Sequence, residues 1–150
     1  MKIKLIVSDA RYAEIERELV SRGFVIDEDA DLILSEKDLF ADHLIVKNDA
    51  DNERVRVAVD EIIVIESYGR DIQISTAQGV YKTSERLYQL ERLLDPERFL
   101  RISNSAIVAR SKIRKITPAL SSKFTLTMSN GQTIDVTRSY YSIFKDCLGI

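Results

Sequence analysis

Residue types with catalytic or metal-binding potential are sparse and scattered in this chain. There is one histidine, His43, and one cysteine, Cys147, about a hundred positions apart. No Cys/His set has metal-ligand spacing. There is no nucleophile elbow, no P-loop and no G-x-G-x-x-G. Asp27, Glu28, Asp29 and Asp31 crowd together but lack the D-x-D-x-D-G order of a calcium loop, so they read as a solvated turn. His43 follows Asp42, and the pair reads as surface polarity, since a general base needs an assembled site around it. The expectation is that the chain is not an enzyme and takes no cofactor, no metal and no small-molecule substrate. What remains are cations and short hydrogen-bond donors. They are Arg70 beside Tyr68, the run Arg101 to Lys115, and Arg138 with Ser139.

Those cations are unevenly spread. The 150 residues sum to a formal net charge of −2. Residues 1–53 hold 7 Lys/Arg against 14 Asp/Glu, or −7, and residues 54–150 hold 15 against 10, or +5. Residues 98–150 alone hold 9 against 2. Such a split hints at a polyanionic partner for the basic part. Hydrophobic residues make up 45% and charged residues 31%, which fits a globular domain and excludes a disordered or collagen-like chain. No apolar run approaches the roughly 18–20 residues that span a bilayer. The start, Met1-Lys2-Ile3-Lys4, alternates and does not read as a signal peptide. A single cysteine points to a reducing compartment or to indifference about redox; a cytoplasmic location with no membrane contact is the expectation.

The elements that must position these residues follow from periodicity. Residues 2–7 read as a strand. Ser8 or Asp9 caps a helix bearing Ala13, Ile15, Leu19 and Val20, and Gly23 stops it. Short strands are predicted at 24–26, 32–34 and 44–46. The polar stretch 48–53 lacks apolar periodicity and is taken as the domain boundary. The first unit, 1–53, is thus a small α+β piece with an expected dimerisation or regulatory role. Beyond it Val55, Val57 and Val59 alternate, and Ile62 to Ile65 run apolar. Turns follow at Tyr68-Gly69 and Gln78-Gly79. Ser84 is expected to cap a helix with Leu87, Leu90, Leu93 and Leu94, ending before Asp95-Pro96. Phe99, Ile102, Ile107 and Val108 are apolar at uneven spacing. Asn130-Gly131 joins two alternating strands as a hairpin, and a last helix covers about 140–148. The fold class is mostly β with α.

Residues 97–116 resemble the signature of the LytTR DNA-binding domain family (LytR/AgrA-type transcription regulators). That family carries Phe-x-Arg-Ile/Cys-His-x-Ser-x-Ile-Val-Asn between a short helix and a strand. This chain reads Phe99-Leu100-Arg101-Ile102-Ser103-Asn104-Ser105-Ala106-Ile107-Val108-Ala109. The close, Val136-Thr137-Arg138-Ser139-Tyr140, resembles the family's V-S-R-x-Y/N. The resemblance covers about 54–150 in element order. Two positions depart from it, with Ser103 in place of the His and Ala109 in place of the Asn.

The resemblance implies an elongated antiparallel β-fold whose loops enter successive major grooves of paired repeats. The protein would be a sequence-specific bacterial regulator binding double-stranded DNA, as a homodimer, in a stand-alone form with a short N-terminal domain. By position the DNA-binding residues would be Tyr68 and Arg70, then Ser103, Asn104 and Ser105, then Arg138 with Ser139 or Tyr140 beside it, and Lys112 on the backbone. The chemistry suits each role. An arginine fork donates twice to guanine O6 and N7, and an asparagine pairs with adenine N6 and N7. Serines bond phosphate oxygens, and Arg101, Arg110, Lys112, Arg114 and Lys115 would neutralise backbone charge. A receiver-like first unit is faintly echoed, but Ser35-Glu36 offers no aspartate to phosphorylate, so no phosphoryl transfer is expected. The altered Ser103 and Ala109 leave an alternative, a protein-interaction module that keeps the fold without reading DNA.

Overall fold

The computed structural model describes residues 1–37 and 39–150. They form two compact units, Met1–Leu39 and Phe40–Ile150. The first holds β1 (Lys2–Ile6), α1 (Asp9–Ser21), β2 (Val25–Ile26) and β3 (Ile33–Ser35). The three strands are parallel in the order β2-β1-β3. Parallel neighbours need a crossover, which α1 supplies between β1 and β2. Gly23, at φ +92°, ends the helix as its position predicts. Ser8 takes the N-cap position, but its side chain makes no capping bond. Ile3 and Leu5 alternate inward and are the unit's buried hydrophobics, while α1 buries none of its residues. Glu36 accepts a bond from the Ser8 N–H at 3.4 Å and pairs with Arg11 at 3.0 Å.

The structure divides between Leu39 and Phe40, not at the boundary expected at 48–53. The third short strand exists as β4 (His43–Asn48), but it belongs to the second unit, between β5 (Arg54–Ala58) and β8 (Val80–Thr83). The acidic stretch is the β4–β5 hairpin loop. Its side chains fold the backbone locally: Asn48 Oδ1 accepts the Ala50 N–H at 2.9 Å, and Asp51 Oδ1 accepts the Glu53 N–H at 3.0 Å. Asn and Asp serve turns and linkers alike, so composition alone could not tell the two apart. Residues 1–39 then carry 6 Lys/Arg against 10 Asp/Glu, and residues 40–150 carry 16 against 14. The charge split between units shrinks to −4 and +2, and the basic surplus is a local feature of the second.

The second unit continues through β6 (Ile62–Tyr68), β7 (Asp71–Thr76), β8, α2 (Leu87–Leu93), β9 (Phe99–Ser103) and β10 (Ala106–Ala109). It ends with β11 (Ile113–Ala119), β12 (Lys123–Met128), β13 (Thr133–Val136) and α3 (Tyr141–Leu148). Seven antiparallel strands order as β5-β4-β8-β7-β6-β10-β9, and β11-β12-β13 form a second sheet. On one face Val46, Val57, Ile62, Ile65 and Ile74 pack with Leu87, Leu90 and Leu94 at α2. On the other Ile63, Val64, Leu100, Ile102 and Val108 pack with Phe124, Leu126, Met128 and Phe144 of the second sheet and α3.

Covering both faces explains why Ile62–Ile65 is apolar throughout rather than alternating. A bulge finishes the account. Ile62 opposes Thr76 and Val64 opposes Ser75, so Ile63 is the extra residue that lets 63 and 64 share a face. A second bulge lies in β9, where Ser103 opposes Ala106 and Arg101 opposes Ile107. It accounts for the uneven apolar spacing around Ile102. The α2 helix begins later than Ser84 suggested. Its N-cap is Arg86, whose N–H is accepted by Gln89 Oε1 at 2.8 Å.

Candidate nucleic-acid interface

Three turns separated by up to seventy residues meet at one end of the large sheet. The first joins β6 to β7. Tyr68 pairs with Asp71, so Gly69 and Arg70 form a two-residue turn, with φ +59° at Gly69 and no positive φ at Arg70. That is the type II′ pattern, which wants glycine first and matches strand twist. Arg70 is exposed and has no side-chain partner among the described residues. Tyr68 is 57% exposed. Its hydroxyl donates to Glu66 Oε2 at 3.2 Å, and the Glu66 charge, with some burial, raises its pKa above the ordinary phenol value. The phenol therefore stays a donor throughout the physiological range.

The second turn is Asn104-Ser105, between β9 and β10. Because β10 runs antiparallel to β6, this turn lies beside the end of β6, and the Ser67 N–H donates to the Ser105 carbonyl at 2.8 Å. Asn104 and Ser105 are exposed. Ser103 is not: it is 6% exposed, and its Oγ accepts the Ser105 N–H at 3.1 Å. A short hydroxyl here closes the turn internally, so the oxygen expected to meet a phosphate is engaged in shaping the turn.

Arg101 is likewise occupied. Its guanidinium donates to the carbonyls of Ser103 at 2.6 Å and Asn104 at 2.8 Å, and pairs with Glu91 of α2 at 2.6 Å. It braces the turn rather than facing solvent. Ala109, the other departure from the family pattern, is buried in β10 opposite Phe99 with ordinary extended dihedrals. The local geometry therefore does not depend on an asparagine there.

The third segment follows β13. The Thr137 N–H donates to the Ile102 carbonyl at 3.0 Å, and the Tyr140 hydroxyl donates to Asn104 Oδ1 at 3.2 Å. Arg138 and Ser139 lie between these anchors, both exposed and without side-chain partners among the described residues. Pairing of Arg138 with Asp135 does not occur; Asp135 instead accepts from Thr125 at 2.9 Å. Lys112 is half-buried at the start of the smaller sheet, where its carbonyl accepts the Ser129 N–H. Arg110 and Arg114 spend donors on the carbonyls of Cys147 and Ser111. The exposed donors at the three turns are thus Tyr68, Arg70, Asn104, Ser105, Arg138 and Ser139.

Sequence reasoning missed most of the residues that join these turns. Glu66 is held by Tyr68 and also by Gln132, whose Nε2 donates at 2.6 Å. Glu91 and Tyr140 anchor Arg101 and Asn104. Tyr140 is already the alternative to Ser139 beside Arg138; Glu66, Gln132 and Glu91 become visible through pairing alone. Among the described residues no group of His, Cys, Asp and Glu could hold a metal, and no helix is long and apolar enough to cross a membrane.

Comparison with known proteins places this geometry. The family model for the LytTr DNA-binding domain matches residues 52–149. The Sensory transduction protein LytT of Enterococcus faecalis is 32% identical over 94 residues, which are 63% of this chain and 39% of that protein. The Sensory transduction protein LytR of Staphylococcus saprophyticus is 30% identical over 100 residues, 66% of this chain and 39% of that protein. The matched part thus spans about two fifths of these relatives' length. A solved LytTr DNA-binding domain, that of a methyl-accepting/DNA response regulator from Bacillus cereus, superposes with a TM-score of 0.69 at 26% identity. The overlap covers 73% of this chain and 99% of that one.

Proposed function

This chain belongs to the LytTR DNA-binding domain family, and on that premise we propose that it is a sequence-specific transcription regulator of duplex DNA. The three turns enter successive major grooves of paired repeats, one homodimer serving two repeats, in the cytoplasm. The observation that carries this reading is the pair of arginines, Arg70 and Arg138, exposed and unpartnered on turns that hydrogen bonds hold at one end of one sheet. A guanidinium without a protein partner keeps its donors for guanine O6 and N7. Asn104 reads beside them. Its Oδ1 is partly used by Tyr140, while its amide donors have no partner among the described residues. Ser105 and Ser139 supply phosphate contacts that set register, Tyr68 exchanges its bond to Glu66 for one to a phosphate, and Lys112 adds charge. Ser103 contributes by shaping the turn.

Selection of bound sequences from a random duplex pool tests this. A recovered motif with two half-sites at a fixed spacing is expected. Arg70→Ala and Arg138→Ala should each cost about 1–3 kcal/mol and relax selection at one base position. Unchanged selection by both variants would overturn the assignment of readers. Failure to enrich any sequence at low salt would favour a protein-interaction module instead.

A further inference from the structure

Away from the three turns, the large sheet carries a row of three cations facing one another. Lys47 on β4 stands directly opposite Arg54 on β5 and directly opposite Lys82 on β8. Residues opposed in register project on the same face. That face is identified by their neighbours. Val46, Val55 and Tyr81 pack into the core on the other side, and Ile45, two residues before Lys47, is 61% exposed. Like charges set opposite one another across strands destabilise a sheet. Among the described residues Lys47, Arg54 and Lys82 have no ion pair and no side-chain hydrogen bond to offset this. Together with Thr83 and Ser84 they line an open concavity of about 460 Å³. Asp71 and Glu85 also line it, beyond ion-pair distance of the three cations, which outnumber them.

The row is aligned with the turns. Lys82 opposes Gln73, which opposes Glu66, the residue that holds Tyr68. At about 4.8 Å per strand, Lys82, Lys47 and Arg54 lie roughly 10, 14 and 19 Å from Glu66 across the sheet. We propose that Arg54, Lys47 and Lys82 form a second anion site, which takes the phosphodiester backbone of the duplex flanking the segment read by the turns. An anion seated there converts three opposed charges from a cost into an attraction. The proposal rests on the DNA reading above but on separate residues. It adds affinity and salt dependence without sequence preference.

The test uses the full chain and a selected duplex in two lengths. One is trimmed to the read site and one is extended by about one helical turn, roughly 10 base pairs, on each side. For Lys47→Gln/Arg54→Gln/Lys82→Gln, the slope of log affinity against log salt should become shallower by about 2–3 on the extended duplex, at about 0.9 per phosphate. Binding to the trimmed duplex, and the ratio of specific to non-specific affinity, should not change. The variant should melt at or above the wild-type temperature. Lys47→Glu alone provides a single-site check. It should weaken binding to the extended duplex at low salt, with the gap closing at high salt. An unchanged slope on the extended duplex, with wild-type binding intact, overturns the inference and leaves the DNA reading standing. So does loss of binding to an acidic protein with the DNA slope unaffected. Wild-type failure on both duplexes overturns the DNA reading itself.

Discussion

Arg101 carries a charge that a phosphate would accept, yet three protein groups already hold it. Two carbonyls of the turn and the Glu91 carboxylate hold the guanidinium of a side chain that is only 20% exposed. Each bond to a charged donor is worth about 1.5–3 kcal/mol when buried and less where water competes. The function of Arg101 is therefore to fix where Asn104 sits. Lysine keeps the charge but lacks the planar fork that reaches three acceptors. Arg101→Lys is expected to lower the ratio of specific to non-specific affinity about tenfold, or about 1.4 kcal/mol, and to leave the salt slope unchanged. Glu91→Gln should act in the same direction more weakly. A phosphate ligand would behave oppositely, with Arg101→Lys retaining the contact and Arg101→Gln losing about 0.9 from the slope. Residue type alone does not separate the exposed Arg70 and Arg138 from Arg101 and Ser103, which protein groups hold, because burial and backbone acceptors decide how a donor is spent.

At the scale of elements, turns were legible and pairings were not. Gly69, Gly131 and Gly23 announce themselves because few other residues take positive φ. Strands with one exposed face, such as β5 and β12, follow from alternation. Bulges leave only an irregular run in the sequence, since an extra residue is defined by the strand opposite. The β4–β5 hairpin loop was read as a linker for the same reason. Glycine positions give a direct check. Gly69 holds φ +59° with open space around a notional Cβ, so Gly69→Ala carries only the backbone cost, about 1–2 kcal/mol. Gly69→Asn should lose much less. Gly79 has no positive φ and equal room, so Gly79→Ala should stabilise by about 0.4–1 kcal/mol through the unfolded chain. Urea melts on the three variants measure both signs, and DNA selectivity should fall for Gly69→Ala only.

For the whole molecule, the question is where an autonomous DNA-reading unit begins. The family model starts at residue 52, which would leave β4 outside. The pairing says otherwise: β4 is an interior strand, bonded to β5 on one side and β8 on the other, and it buries Leu44 and Val46. Removing it strands β5 and opens the α2 core. A fragment 40–150 should fold with a single cooperative transition and bind the selected duplex. A fragment 54–150 loses two buried aliphatic side chains, each worth roughly 1.5–3 kcal/mol, as well as its ladder partner, against a total stability of about 5–15 kcal/mol. It should melt well below 40–150 or fail to fold, and it also lacks Lys47. Residues 1–39 bury only Ile3 and Leu5 among their described hydrophobics, too little to offset chain entropy, so that fragment alone should be unfolded by circular dichroism. Equal melting of 40–150 and 54–150 would return the boundary to the acidic loop. A stable 1–39 fragment would mean that the first unit draws on something other than burial within itself.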